Sequence, residues 1–358
     1  LYSSLIADAV HNANTSVPGG TVTRVDVSGG TTDTTAVAVN LTVTRGRHRG
    51  HLTAYSCDRP RPDVSNLNHE RDTTVAAAAI VPVGPSGEIC IYNSTTAQII
   101  VDLFGRFDGA ADVAGADPVR LLDTRTRTGA KRPSAHETQT VRVVGPGAAS
   151  EGTAAVALEV TSVGSRADGF VSVHPCDRRD QTTSNVNYRA GINTPNLVIA
   201  EPNAAGEVCV TASSDTHLIV DLFTAFGPAG SVTMIEPRRA VDTRLSSKPN
   251  DGDRVTISTD GLGLDDATQG VFLNLTITQA DGSGFASAFP CTAGGVGTSN
   301  LNYRPGPPRA NMVTVRPDSD GDICVQVTTS AHVAVDVVGG VGAGYVGEPG
   351  TRLLDTRN

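Results

Sequence analysis

GEVCVTASSDTHLIVDLF, from Gly206 to Phe223, has two sisters in the same chain: GEICIYNSTTAQIIVDLF at Gly87 to Phe104 and GDICVQVTTSAHVAVDVV at Gly321 to Val338. In each, a Gly opens a strand that carries a Cys, a polar turn follows, and an apolar run then presents an Asp (Asp102, Asp221, Asp336). Outward from there the correspondence continues. Upstream lie Cys57, Cys176 and Cys291, each 33 residues before its partner Cys90, Cys209 or Cys324. Between the cysteines comes Ser-Asn-x-Asn, at Ser65 to Asn68, Ser184 to Asn187 and Ser299 to Asn302, and downstream comes Asp-Thr-Arg ending at Arg125, Arg244 and Arg357. Fixed positions over such lengths mark an internal repeat of about 115 residues. We read units at 1–119, 120–238 and 239–350 within a single pseudo-threefold domain of 358 residues, with 351–358 a ring-closing strand.

The even count and constant spacing pair Cys57 with Cys90, Cys176 with Cys209 and Cys291 with Cys324, one bridge per unit. Each closes a loop worth roughly 3 to 4 kcal/mol of unfolded-state entropy. Such bridges imply an oxidising compartment, and we expect a secreted, extracellular protein. Cysteines without a neighbouring Cys or His at ligand spacing argue against zinc.

The composition, with 38 Gly, 20 Pro and few charges, belongs to strands and turns. In the second unit, strands are expected near Leu121 to Thr126, Val141 to Val144, Ala154 to Thr161, Gly169 to His174, Asn185 to Arg189, Asn196 to Ala200, Glu207 to Thr211 and Leu218 to Phe226, with no helix. Asn203 to Gly206, like Gly84 to Gly87 and Asp318 to Gly321, reads as a hairpin turn whose Gly takes a positive φ. A weaker half-period suggests two four-stranded halves per unit. The fold expected is an all-β, closed propeller of six blades; three tandem β-sandwiches are the alternative. Leu1 to Ser4 occupies the place of Leu121 to Thr124, and a full copy returns at Arg352 to Arg357, so one terminus can complete the blade begun by the other. The bridges would then join the two blades of a unit.

The strand aspartates share a face with apolar residues, so each needs a partner. We expect structural pairs of Asp102 with Arg125, Asp221 with Arg244 and Asp336 with Arg357, the Arg offering a two-pronged bond. The Asn amides of Ser-Asn-x-Asn are expected to bond neighbouring backbone. His217 and His332, equivalent to Gln98, read as scaffold.

No nucleophile elbow, zinc-protease, phosphate-loop or dinucleotide motif occurs, so no enzyme and no cofactor are expected. Asp318, Asp320 and Asp322 begin like a calcium loop but lack its bidentate Glu, and a hairpin tip is favoured. A net charge of −9 argues against nucleic acid, and no apolar run is long enough for a membrane span. The sequons at Asn14, Asn40, Asn93 and Asn274 carry little weight in so Thr-rich a chain.

Candidate ligand contacts lie where the units differ or present planar groups. The loop after Val43 holds Arg47, His48 and Arg49, able to grip an anionic polymer or a partner's carboxylates. Tyr55, His174 and Phe289 precede the first Cys of each pair, and His69, Tyr188 and Tyr303 follow Ser-Asn-x-Asn; planar groups so repeated could stack on sugars with avidity. Absence of Trp weakens the sugar case.

Arg120 to Arg125, Ala155 to Thr161, Gly169 to Cys176, Ser184 to Tyr188, Asn196 to Val198, Gly206 to Cys209 and His217 to Phe223 together resemble a repeat common in large secreted proteins of actinobacteria. The resemblance covers nearly the whole chain. It implies a module appended to exported peptidases, wall hydrolases or toxin assemblies, with a role at surfaces or glycans. The first unit departs: Leu1 to Ser4 lacks the Asp and Arg, and Ala77 replaces Asn196 and Asn311. The function expected is a lectin-like, non-catalytic recognition module for a cell-surface glycan or wall polymer. A structural spacer or adhesin stalk is the alternative, and a propeller glycoside hydrolase a further one.

Overall fold

A computed structural model describes residues 16–30, 33–114, 118–126, 132–178, 184–227, 232–294 and 298–357. Leu1 to Ser4 and Asn14 lie outside them. The described residues contain strands and two short 3-10 turns, Gly109–Ala111 and Thr243–Leu245, and no α-helix. All eight strands expected in the second unit are present, from Val119–Asp123 to His217–Phe226. Valine, isoleucine and threonine at alternating positions favour them because branched side chains pack well on a pleated sheet.

Six small antiparallel sheets stand in a ring, two per unit, in a six-blade β-propeller arrangement. The blades are not successive halves of a unit. In the second unit one sheet runs Thr138–Arg142, Glu207–Ala212, Gly169–Pro175, Val186–Tyr188, and the other runs Thr194–Ala200, Ala155–Val163, His217–Phe226, with Val119–Asp123 beyond. Successive strands therefore cross between sheets, and the half-period expected from sequence does not delimit a blade. The turn at Asn203 to Gly206 exists, with Gly206 at φ 75°, Gly87 at 69° and Gly321 at 80°. It is a crossing from one sheet to the other, not a hairpin.

The two sheets of a unit enclose a shared apolar core, as the sheets of a sandwich do. In the second unit Val141, Val171 and Val208 of one sheet meet Leu158, Val198 and Val220 of the other. Equivalent cores fill the first and third units. A fourth core joins the units and draws mainly on the inner sheets, with Ala38, Ile80, Phe107, Ala157, Ile199, Phe226, Phe272, Met312 and Tyr345 among its members. At one end of this axis Phe107 and Phe226 lie 6.0 Å apart, Phe226 and Phe272 6.0 Å, and Phe107 and Tyr345 5.0 Å. Four rings plug that end.

The ring closes as expected. Strand Tyr345–Asp355 pairs antiparallel with Gln98–Phe107, giving the first unit an edge strand from the chain's other end. It begins at Tyr345, upstream of residue 351, as Val232–Asp242 begins upstream of 239. Closure removes an open edge that another chain could pair with.

All three disulfides form as paired from the sequence. They do not join blades. Cys176 directly follows Gly169–Pro175 and Cys209 lies in Glu207–Ala212, which is that strand's neighbour in the same sheet, with His174 opposite Cys209. Each bridge therefore staples adjacent strands of one outer sheet.

Candidate functional site

The buried aspartates are paired, though with other arginines than the sequence suggested. Asp221 accepts from Arg120 Nε at 2.8 Å and Nη2 at 3.1 Å. Asp102 accepts likewise from Arg352 at 2.8 and 3.3 Å, and Asp336 from Arg239. Register is the reason: Val119–Asp123 lies antiparallel to His217–Phe226 with Arg120 opposite Asp221, so the first Arg of the motif reaches the carboxylate. Arg125, Arg244 and Arg357 instead fold back onto Asp123, Asp242 and Asp355 two residues earlier. Burial raises the Asp102 and Asp221 pKa values despite their arginines, whereas the bond from the neighbouring Arg lowers those of Asp123, Asp242 and Asp355. Within Asp-Thr-Arg, the Thr hydroxyls accept from Leu218 N, Val333 N and Ile99 N at 2.9 Å. These repeated groups hold strands together.

Most of the proposed planar contacts prove to be interior. Tyr55, His69, His174, Tyr188, Phe289 and Tyr303 are all buried, and Tyr303 donates its hydroxyl to Thr329 O at 2.6 Å. Little of each side chain is exposed, although His69, His174 and Tyr303 each line a surface cleft. Their strands alternate correctly, but the residues point into packed layers. Arg47, His48 and Arg49 are exposed, and Arg49 lies 3.2 Å from Glu70. Asp318 accepts from the backbone of Asp320 at 3.0 Å, Asp322 at 2.9 Å and Thr292 at 3.2 Å, which commits it to its own turn. The sequon residues Asn40, Asn93 and Asn274 are buried.

The Ser-Asn-x-Asn segments do two jobs. Asn66, Asn185 and Asn300 each accept a backbone N–H at 2.7 Å, from Ala54, Val173 and Ala288. That is the backbone role expected of them. The segments also knit the units around the axis: Asn40 donates to Ser299 O at 2.6 Å and Asn274 donates to Ser184 O. Ala78 N, donating to Asn311 Oδ1 at 3.0 Å, adds a bond between the inner strands of two units. In the second unit the place of Asn40 and Asn274 belongs to Glu159, wholly buried, with no partner for either oxygen and its pKa raised by burial and by Asp221 opposite.

Beyond this belt, at the end of the axis away from the aromatic plug, a cleft of about 90 Å³ opens among all three units. Asn68, Asn187 and Asn302 line it, one from each repeat. Just past them stand Glu70, Arg189 and Arg304 at equivalent positions, and Arg309 opens the following strand. Burial, with the like charges of Arg304 and Arg189, lowers the Arg309 pKa. None of these three guanidinium groups has an acidic partner among the described residues. The carboxylate in the same cleft, Glu70, lies 3.2 Å from Arg49, so the three guanidinium groups are left able to take an anion.

Sequence reasoning missed Arg189, Arg304 and Arg309. The available signal was Asn-x-Asn-Tyr-Arg in two repeats against Asn-x-Asn-His-Glu in the first, a departure at a fixed position. Glu159 and Asp221 lie opposite each other on neighbouring strands, and neither lines the axial cleft.

No family model matches the chain, and no curated protein does. Among solved structures it is similar to one described as "The Triple Jelly Roll Fold and Turret Assembly in an Archaeal Virus", at 9% identity over 91% of this chain and 85% of that chain, TM-score 0.25. A second, from Sulfolobus Turreted Icosahedral Virus, is 11% identical over 91% of this chain and 86% of that chain, also at TM-score 0.25. At such TM-scores the likeness carries no argument about fold or function.

Proposed function

We propose that this chain is a non-catalytic, extracellular recognition module, carried by a larger exported protein or assembly, that takes an anionic carbohydrate at the arginine-lined end of its axis. The observation that carries the reading is the convergence of Arg189, Arg304 and Arg309 on one cleft without an acidic partner among the described residues. Asparagine amides from three repeats stand beside them, able to donate to hydroxyls and carboxylates alike. Three disulfides suit an oxidising setting, and no helix among the described residues is long and apolar enough to cross a membrane. The anionic site takes the place of the aromatic stacking expected from sequence, because those side chains are largely buried.

The test is calorimetric titration with galacturonate and with galactose, its uncharged counterpart. Galacturonate should bind more tightly, weaken with salt, and lose at least tenfold in affinity in Arg309→Gln and in Arg304→Gln, the latter an exposed position whose change leaves folding intact. Equal binding of the neutral sugar, or full binding by both variants, overturns the reading.

A further inference from the structure

The axial cleft does not end at the axis. A second cleft, of about 390 Å³, shares Thr73, Asn302, Arg304 and Arg309 with it and runs outward between the third unit and the first. A third, of about 220 Å³, shares Thr74, Phe285 and Asn302 with the second and reaches Arg45 at the end of strand Ala36–Thr44. The three form one groove along the seam where ring closure brings the last unit against the first.

Its chemistry alternates along that line. Arg309 and Arg304 stand at the inner part, where Asp72 also lines the cleft with its carboxylate paired to Arg71. Phe285 follows, half-buried, lining both outer clefts. Arg45 stands at the outer end, exposed and without an acidic partner among the described residues, whereas Arg352 and Arg357 beside it are engaged with Asp102 and Asp355. The equivalents of Phe285 are His51 and Phe170, and the cleft at the seam between the second and third units is less basic: it is lined by Arg178, which pairs with Glu201. Cations separated by an apolar ring face suit a chain whose charged groups recur while its sugar rings present C–H faces between them.

Resting on the anionic-carbohydrate reading, we infer that the ligand is a linear polyanionic polysaccharide laid along this seam, with Arg309 and Arg304 holding one acidic residue, Phe285 stacking on the next ring and Arg45 holding a later one. A single acidic sugar fills only the axial part. Successive subsites on one rigid groove make affinity rise with chain length until the groove is filled.

The experiment titrates the intact chain with oligogalacturonates of one to six residues, with dextran as neutral polymer and poly-glutamate as acidic polypeptide. Affinity should climb at least a hundredfold from monomer to hexamer and then level. Phe285→Ala and Arg45→Gln should each cost the hexamer about tenfold while leaving the monomer unchanged, with thermal melts confirming that both variants fold. If the hexamer binds no better than the monomer while Arg309→Gln still weakens both, the groove falls and the axial anion site stands. If no oligogalacturonate of any length binds, the axial reading falls with it. Poly-glutamate or dextran binding as tightly as the hexamer overturns the assignment to an acidic polysaccharide.

Discussion

Replacing Glu159 by Gln should stabilise the protein, and only above mildly acidic pH. Glu159 is fully buried, neither carboxyl oxygen has a partner, and Asp221 lies opposite it on the neighbouring strand. Its folded pKa is therefore raised well above the ordinary glutamate value. The sign follows: with the folded pKa above the unfolded one, the stabilising contribution is fully present below the unfolded pKa. It is lost as pH rises through the folded pKa, because the native state must then hold an unpaired buried charge. Between those two values wild-type stability drops by about 1.4 kcal/mol per pH unit. At the equivalent places Asn40 donates to Ser299 O and Asn274 to Ser184 O, so a neutral amide is the group the other two units carry at this position. A Gln amide does not ionise. At pH 4 the two proteins should agree within about 1 kcal/mol, the worth of one hydrogen bond. For a chain of 358 residues, each pH unit of the window corresponds to roughly 2 °C in Tm. Scanning calorimetry at pH 4 to 9 should show the Gln variant's Tm pulling away from wild type as pH rises, then running parallel. A difference independent of pH, or a Gln variant less stable at pH 8, refutes the reasoning.

Arg120→Met should cost about 3 to 5 kcal/mol in denaturant unfolding by stranding Asp221, while Arg125→Met, whose Arg pairs at the surface, should cost under about 1 kcal/mol; equal losses would return the pairing to question. Loss of the Cys176 to Cys209 bridge in a double Ala variant should lower stability by about 3.7 kcal/mol from loop entropy, read by the same unfolding curves, without changing the strand content seen by circular dichroism. Gly105→Ala should lower Tm sharply, since an added Cβ would stand 2.3 Å from the Tyr345 ring; a normal melt would show that ring to be freer than the plug implies. On the acid side, Asp123, Asp242 and Asp355 have lowered folded pKa values, so their contribution is present above the unfolded carboxylate pKa and lost as pH falls through the folded values. Arg244→Met should flatten part of the acid limb of a stability profile.

Sequence alone determined the repeat, the three disulfide pairs, the eight strands of the second unit and the burial of Asp102, Asp221 and Asp336. Each of these is written locally or by fixed spacing: period-two alternation sets which face a residue occupies, and turns with positive-φ Gly set where strands end. Tertiary structure decided which strands become neighbours. Gly169–Pro175 and Glu207–Ala212 lie side by side, so Cys176 and Cys209 staple one sheet; Arg120, not Arg244, faces Asp221 because register places it there. It also decided that Tyr188 and Phe289 point inward, since alternation says which residues share a face but not which face is covered. The arginine cluster belongs wholly to this second level. Arg189, Arg304 and Arg309 come from two repeats, and the groove to Arg45 joins the third unit to the first. No local pattern encodes such a meeting, because it exists only once the ring has closed and brought distant turns to one end of the axis.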